Sequence, residues 1–331
     1  MLNEFEGDQS SVDCLIIGAG IAGLLAATVV QQAGVNVRVV DKGRGLGGRM
    51  ATRRRDGAVF DHGAQFFTVR DPRFESWVSE WRELGLVRPW YDLGDAGTHF
   101  RGAPGMTAIA KHLAKEIDVR NQVVVDNVRF HHGHWQVSIG GGKEIMAQHL
   151  IITAPVPQAL ALLDAGDVDL NPSDDKALRS IEFQRCIAAL AILERPSAIS
   201  SHQGALKVKE GPIQWISDNH RKGISPEVPS VTIHSTPDFA DEYWDSDDSV
   251  RIPILLDAAS EYLGAEVLSY QGHRWGFSQP TASFHEEAYV APGLRLAIAG
   301  DGVAGGRVEG AALSGLAAGK ALVDHIQASS N

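Results

Sequence analysis

Two glycine-rich clusters stand on either side of one acidic residue near the start of the chain. The first, Gly18–Gly23, directly follows the apolar run Cys14–Ile17, and the second, Gly43–Arg49, follows a second apolar run and Asp41. A short apolar strand that turns at once into a helix needs glycine for the sharp turn and for close packing of the helix. The pattern therefore predicts a β-α-β unit over residues 14–41.

The first cluster predicts a binding site for a dinucleotide. Gly18 allows the sharp turn, Gly20 leaves room for a pyrophosphate to approach, and Gly23 lets the helix pack close to the strand. Free N–H groups at the helix N-terminus then hold the phosphate charge, and Asp41 accepts hydrogen bonds from a ribose. The alternative is a turn between core elements, or a membrane or signal segment. However, the apolar run is too short and too broken by glycine to cross a bilayer.

Composition restricts the class of protein. The chain has 331 residues, 44% hydrophobic and 21% charged, which is typical of soluble globular proteins with one large or two medium domains. Its formal net charge of −11 argues against nucleic acid and anionic membranes as main partners. The two cysteines, Cys14 and Cys186, suggest no disulfide framework and predict a cytoplasmic location. The acidic, polar segment Met1–Asp13 predicts a short disordered tail without a secretion signal.

Hydrophobic periodicity predicts the elements that follow. Helices are predicted at Ile21–Ala33, Arg73–Gly85 and Gly105–Glu116, and strands at Gln122–Phe130, Trp135–Ile139, Leu150–Thr153, Ile187–Leu193, Ile213–Ser217, Val231–Ser235 and Leu294–Ala299. His131, His132 and His134 are placed at a hairpin tip. A metal site there is the less favoured alternative, because no carboxylate or cysteine completes a ligand set, and no metal is predicted elsewhere.

The C-terminal part returns to the pattern of the first cluster. A predicted strand ends at Gly300-Asp301-Gly302, and a helix of small residues begins near Val308. A strand that ends in an acid, followed by a loop and a helix N-terminus, forms a second clamp for a cofactor. The nucleotide-binding domain is therefore predicted to be discontinuous. It comprises residues 1–68, 101–158 and 287–331, and residues 69–100 and 159–286 form an inserted substrate domain.

These motifs, taken in order, resemble the flavin amine oxidase superfamily. The resembling segments are Gly18–Gly23, Asp41-Lys42, Gly47–Arg49, Gly300-Asp301 and Val308–Ala311. The resemblance implies an α/β fold in which a discontinuous Rossmann-like FAD-binding domain carries an inserted α+β substrate domain, as in amine oxidases and p-hydroxybenzoate hydroxylase. It also implies non-covalent FAD, with Asp301 at the ribityl chain and the helix from Val308 aimed at the flavin pyrimidine edge, where reduced flavin carries negative charge.

Within that superfamily the chain is similar to the renalase family, especially its bacterial members. The similar segments are Gly43–Arg55, Phe60–Phe67, Leu86–Pro89, Ala154–Pro157, Ile216–Asn219, Ile233–Thr236 and Arg274-Trp275. Pattern and resemblance together predict FAD contacts at Gly18, Gly20, Ala22, Gly23, Asp41, Lys42, Arg44, Gly48, Arg49, Gln65, Phe66, Val123, Asp301 and Val308. The resemblance implies oxidation of the 2- and 6-dihydro isomers of NAD(P)H, with O2 as the acceptor, giving NAD(P)+ and hydrogen peroxide.

The candidate substrate residues are His234, Asn219 and Trp275. Trp275 could stack on a flat ring, and His234 and Asn219 could form hydrogen bonds with a carboxamide or ribose. The alternative for each is a structural role, as a buried histidine, a turn asparagine or a core tryptophan.

Other activities stay open at this point. Amine oxidases of this superfamily usually carry a lysine near flavin N5, and the candidates, Lys207 and Lys209, read as part of an exposed hairpin. An amine oxidase or desaturase, a nicotinamide-dependent dehydrogenase without flavin, and a non-catalytic flavoprotein are the alternatives. The oligomeric state is not predicted.

Overall fold

The computed structural model describes residues 11–94 and 97–330, which divide into two compact units. Unit 1 comprises residues 11–48, 113–182 and 282–330, and unit 2 comprises the described part of residues 49–112 and residues 183–281. Residues 1–10 of the predicted tail lie outside the described residues, whereas Val12 and Asp13 already belong to the first strand. No helix of the described ranges is long and apolar enough to cross a membrane.

The elements are numbered in chain order. The strands are β1 (Val12–Ile17), β2 (Val37–Asp41), β3 (Thr52–Arg55), β4 (Ala58–Asp61), β5 (Val87–Asp92), β6 (Thr98–Gly102), β7 (Asp118–Asn121), β8 (Val125–His131), β9 (His134–Ile139), β10 (Lys143–Ile152), β11 (Phe183–Leu193), β12 (Ala205–Lys207), β13 (Ile213–Asp218), β14 (Ser230–Ser235), β15 (Val267–Pro280), β16 (Tyr289–Ala291) and β17 (Leu296–Ile298). The helices are α1 (Ile21–Gln32), α2 (Pro72–Glu83), α3 (Thr107–Leu113), α4 (Val156–Asp164), α5 (Pro172–Arg179), α6 (Pro237–Glu242), α7 (Asp248–Leu263), α8 (Asp301–Ala304) and α9 (Val308–Ser330).

Unit 1 is a Rossmann-like sheet with strand order β16-β17-β10-β1-β2-β7, extended by the β8–β9 hairpin. β1 pairs in parallel with β2 and β10, and β10 pairs in parallel with β17. Side chains of β1 are buried on both faces of the sheet, which explains its apolar sequence. Helix α9 packs against α1 at Gly315 and Gly319, where a Cβ atom would touch the backbone of Ala22 and Ala26. The two ends of the chain therefore form one domain, as the α/β prediction requires.

Unit 2 contains an antiparallel sheet with strand order β12-β13-β14-β11-β15 and the hairpins β3–β4 and β5–β6. One face of the sheet forms a hydrophobic core with α6 and α7, through Ile187, Ala189, Ile233, Phe239 and Leu255 among others. Residues on a strand alternate between faces, so the residues between these core positions lie on the opposite face.

Several predicted boundaries differ from the structure. The strand predicted at Gln122–Phe130 begins at Val125, because Gln122 has a φ of +62°, outside the extended region. The strand predicted from Leu294 begins at Leu296, after a 3₁₀ turn. Residues 49–68 and 101–112 belong to unit 2, and residues 159–182 and 282–286 belong to unit 1.

The reason for the shifted domain boundary is the β3–β4 hairpin. Its hydrogen bonds join it to β14 and the preceding turn, through Val59 N to Ser225 Oγ (3.1 Å) and Thr232 Oγ1 to Asp61 O (3.1 Å). Such long-range contacts are not visible in local periodicity.

Candidate cofactor and substrate sites

The first glycine cluster in unit 1 has the packing that a dinucleotide cradle needs. Gly18 has a φ of +112°, a backbone conformation that favours glycine. A Cβ atom on Gly23 would overlap the Gly18 carbonyl oxygen, so this glycine brings α1 close to β1. A Cβ atom on Gly20 would meet nothing within 4 Å. The cluster is thus tightly packed except at Gly20, which faces open space beside the N-terminus of α1 and fits a pyrophosphate.

Asp41 joins the two glycine clusters. Its carboxylate accepts hydrogen bonds from Ala19 N (2.7 Å) and Gly43 N (2.6 Å), and its carbonyl accepts one from Val123 N (2.9 Å). Each carboxylate oxygen retains further acceptor capacity, so the predicted contact with a ribose is compatible with this role. Val123, predicted beside the adenine, lies next to Asp41.

The other predicted cofactor residues of unit 1 differ in burial. Ala22 is buried in α1, Arg44 and Gly48 are exposed, and the exposed Lys42 ammonium group lies 3.3 Å from Gln158 Oε1. At the C-terminal clamp, Asp301 is buried in the first turn of α8. Gly300 N, just before it, donates to Ser314 Oγ of α9 (2.9 Å), the helix that begins at Val308. The loop and the helix are thus fixed to each other.

In unit 2, Asp61 organises the loop that follows β4. Its buried carboxylate accepts hydrogen bonds from Thr52 Oγ1 (2.6 Å), Met106 N (2.9 Å) and the Lys222 ammonium group (2.8 Å). Asp61 and Lys222 both have fully buried side chains. Burial lowers the pKa of Lys222, and the charge of Asp61 opposes that effect. The ion pair therefore holds the loop from a position that water does not reach.

Sequence reasoning missed this lysine. The named candidates, Lys207 and Lys209, are exposed. Lys222 is buried instead, although it follows polar residues and the sequence around it gives no sign of burial. Only the tertiary structure brings it to Asp61, 161 positions away in the chain.

Three residues of unit 2 predicted at the cofactor lie in or before this loop. Gln65 is buried and donates from Nε2 to the carbonyls of Asp61 and Gly63, while its Oε1 atom has no hydrogen-bond partner in the described ranges. A buried unpaired acceptor costs free energy, so Gln65 fits a donor group supplied by a cofactor. Arg49 donates from Nη1 to the carbonyls of Phe277 (3.2 Å) and Ser278 (3.3 Å).

Phe66 belongs to an aromatic group. Its ring centroid lies 4.6 Å from that of His99, 5.3 Å from Trp215, 6.1 Å from Tyr91 and 6.5 Å from Trp90. Trp90 and Tyr91 are buried, and Phe66 and Trp215 are half-buried. The group therefore offers a partly accessible apolar surface in unit 2.

One row of residues crosses the face of the unit 2 sheet that lies opposite the core with α6 and α7. Directly paired residues place Lys207 opposite Trp215, Trp215 opposite His234, His234 opposite Ala188, and Ala188 opposite His273. Directly paired residues lie on the same face of a sheet. We call these five positions the cross-sheet row. The row brings histidine and tryptophan onto a face whose aliphatic residues pack against the β3–β4 hairpin.

The His62 carbonyl connects two of the predicted substrate residues. It accepts hydrogen bonds from Trp275 Nε1 (2.8 Å) and from His234 Nε2 (3.1 Å). The His62 ring lies 4.8 Å from the His273 ring and 5.2 Å from the Trp275 ring. His62 is buried, and its Nδ1 atom has no partner among the described residues. The structure thus brings His234 and Trp275 together around a loop residue that sequence analysis did not select.

Asn219, the third predicted substrate residue, lies in the turn after β13. It is fully buried, and its Nδ2 atom donates to Thr232 Oγ1 (3.1 Å). Its carbonyl accepts hydrogen bonds from Ile224 N and Ser225 N in the turn after β13. Its Oδ1 atom has no hydrogen-bond partner among the described residues, and its contact with a substrate stays a prediction.

The histidines of this cluster are held neutral. Burial, together with neighbouring His273, Arg53 and His234, lowers the pKa of His62 to about 3. Burial likewise lowers the pKa of His234 to about 4, with a contribution from Lys222, and the pKa of His273 to about 4, where Arg53 contributes and Asp248 opposes. The permanent charges that act on these rings are those of Arg53, of Asp248 and of Lys222, whose ammonium group is paired with Asp61. The cluster therefore consists of neutral rings.

Acidification should destabilise unit 2. The pKa of an unfolded histidine is about 6.5, above the folded values, so folding favours the neutral form. This contribution to stability is complete above pH about 6.5 and is lost as the pH falls towards about 4. The loss is measured as the difference between the unfolding free energies obtained by urea unfolding at about pH 7.5 and about pH 5. His273→Gln should reduce the difference in unfolding free energy between the two pH values, whereas His131→Gln on the exposed hairpin should leave it unchanged. An unchanged difference in the first variant would contradict this assignment.

No group of three or more His, Cys, Asp or Glu side chains within the described ranges could hold a metal ion. The three histidines of the hairpin tip lie at the β8–β9 turn, as their spacing predicts.

Comparison with known proteins identifies the class. The pattern of flavin containing amine oxidoreductases matches residues 74–323, and that of an NAD(P)-binding Rossmann-like domain matches residues 16–81. The chain belongs to the family of flavin containing amine oxidoreductases, and its cofactor is FAD.

Individual relatives agree on the fold. Cyclohexylamine oxidase from Brevibacterium oxydans superposes with a TM-score of 0.76 at 14% identity, covering 96% of this chain and 100% of that chain. A putrescine oxidase variant superposes with a TM-score of 0.74 at 16% identity, covering 96% and 99%. Carotenoid 3,4-desaturase from Haloarcula japonica is 34% identical over 94 residues, which is 28% of this chain and only 18% of the desaturase.

Proposed function

We propose that this protein is a FAD-dependent oxidase of the renalase type, acting on the 2- and 6-dihydro isomers of NAD(P)H. The observation that carries the proposal is the cluster of His62, His234, His273 and Trp275 in unit 2. Its rings are neutral, and the Lys222 ammonium group that acts on His234 is already paired with Asp61. Such a site suits a flat, uncharged ring, which can pack against Trp275 and form hydrogen bonds with neutral imidazoles.

The chemistry needs little from the protein beyond orientation. FAD, when bound, supplies the hydride acceptor. A dihydropyridine loses hydride readily because its ring becomes aromatic, so no side chain must take a proton. Trp275, held by its hydrogen bond to the His62 carbonyl, can orient the ring. Neutral histidines also do not oppose the positive charge that develops on the ring. The balanced reaction consumes the isomer, one proton and O2, and gives NAD(P)+ and hydrogen peroxide.

Anaerobic mixing of the FAD-loaded protein with each candidate reductant tests this proposal. The 2- and 6-dihydro isomers should bleach the flavin absorbance within seconds, and NAD(P)+ should be recovered by chromatography. Readmission of O2 should restore the absorbance and release hydrogen peroxide. Ordinary NADH, the 4-dihydro form, is the matched control and should bleach the flavin far more slowly.

The fold neighbours define the main alternative. Because two of them are amine oxidases and one relative in sequence is a desaturase, an amine or a polyene is the rival substrate. Bleaching by putrescine or cyclohexylamine, with no response to either isomer, would replace our proposal with an amine oxidase. A flavin that no reductant bleaches would indicate a non-catalytic flavoprotein.

A further inference from the structure

The cross-sheet row continues past His234 to the edge of the unit 2 sheet. Lys207 lies on the edge strand β12, opposite Trp215, which in turn lies opposite His234. Neighbouring strands are about 4.8 Å apart, so the backbone of Lys207 lies two strand spacings, about 10 Å, from that of His234. An exposed cation therefore lies on the same sheet face as the histidine cluster, separated from it by one tryptophan.

Nothing in the described ranges neutralises this cation. Lys207 is exposed, and its ammonium group has no ion pair or side-chain hydrogen bond within residues 11–94 and 97–330. An unpaired lysine on this face is notable because the chain as a whole has a net charge of −11. Trp215 is half-buried, and its Nε1 atom donates to Ser217 Oγ (2.7 Å), which fixes the indole ring beside the lysine.

We infer that Lys207 binds the diphosphate of a pyridine dinucleotide whose nicotinamide ring lies at His234. This inference rests on the proposed function and adds a subsite to it. The order of groups in the ligand is nicotinamide, ribose and diphosphate, and the order along the row is His234, Trp215 and Lys207. A lysine ammonium group is a compact point charge that suits phosphate oxygens. Because β12 is the edge strand, the adenosine half of the ligand would extend beyond the sheet. The diphosphate is therefore the group that Lys207 recognises.

A comparison of substrates with and without phosphate tests the subsite. The probes are the 6-dihydro isomer of NAD and the corresponding isomer of dihydronicotinamide riboside, which lacks phosphate. Anaerobic flavin reduction at increasing concentrations gives a Kd for each. Lys207→Glu should raise the Kd of the dinucleotide isomer about tenfold or more at low ionic strength. The Kd of the riboside isomer should change by less than about twofold. The limiting rate of flavin reduction should be the same in both proteins. Added salt should raise the Kd of the dinucleotide isomer in the unsubstituted protein but not in Lys207→Glu.

Lys209→Glu is the matched control. Lys209 is also exposed and lies two residues beyond Lys207, but it is outside β12 and the cross-sheet row. Its variant should bind both isomers as the unsubstituted protein does. An equal loss for both isomers in Lys207→Glu, no loss for either, or the same loss in Lys209→Glu would overturn the inference.

A direct binding measurement separates this inference from the proposed function. Calorimetry with ADP-ribose, which contains the diphosphate, uses the FAD-loaded protein and needs no turnover. If no isomer reduces the flavin, the proposed function fails. Binding of ADP-ribose that is lost in Lys207→Glu would still support the subsite. Equal binding to both proteins, or none to the unsubstituted protein, would refute it.

Discussion

Lys222→Met is expected to lower the free energy of unfolding of unit 2 by about 3–5 kcal/mol. The substitution keeps much of the side-chain volume but leaves the Asp61 carboxylate fully buried without its cation. Among the described residues, the carboxylate then keeps the hydrogen bonds from Thr52 Oγ1 and Met106 N. A buried charge that loses its partner costs far more than the pair itself contributes. The loop from His62 to Gln65 should loosen at the same time, because Asp61 anchors its start.

Urea unfolding followed by tryptophan fluorescence measures this loss. Of the seven tryptophans, Trp135 lies in unit 1 and the other six lie in unit 2, so the signal reports mainly on unit 2. The double variant Asp61→Asn with Lys222→Met removes both charges and should be less destabilised than Lys222→Met alone. Lys320→Met is the control, since its exposed pair with Asp324 contributes at most about 1 kcal/mol. A Lys222→Met variant as stable as this control would refute the role of the ion pair.

Gly20→Val is expected to abolish FAD binding while leaving the fold intact. The Gly20 backbone is extended, with φ −79° and ψ −179°, and a Cβ atom there meets no protein atom within 4 Å. Valine therefore fits the protein, and the change in unfolding free energy should stay within about 1 kcal/mol. Its methyl groups fill the space that a pyrophosphate must enter, so FAD affinity should fall at least about 100-fold.

The flavin content of the purified protein and its Kd for added FAD measure this effect. Gly140→Val is the matched control, because Gly140 also has nothing within 4 Å but lies at the β9–β10 turn. It should retain full flavin occupancy. Gly23→Val should behave differently from both, since its side chain would overlap the Gly18 carbonyl and destabilise the fold itself. Full FAD occupancy in Gly20→Val would show that the cofactor does not approach at this glycine.

The sequence by itself determined the elements that depend on local chemistry. The two glycine clusters, the apolar strands and the small-residue helix beginning at Val308 are properties of short segments, so their patterns predict the Rossmann-like fold and a dinucleotide site. The resemblance to the flavin amine oxidase superfamily then implied FAD. His234 and Trp275 were selected as substrate residues, and their contact with a substrate stays a prediction. Their selection came from family resemblance, because a single histidine or tryptophan on a strand carries no signal of its partner.

The tertiary structure alone decided what surrounds those residues. Lys222 meets Asp61, and His62 meets His234 and Trp275, across separations of 161 to 213 residues. The tertiary structure also buries Asn219 in its own turn and places Lys207 on the same sheet face as His234. Burial, ionisation and strand register arise from contacts between distant segments, and hydrophobic periodicity reports only on neighbours within a helix or strand. For this protein, local pattern determined the cofactor cradle, and long-range pairing decided the residues that face the substrate.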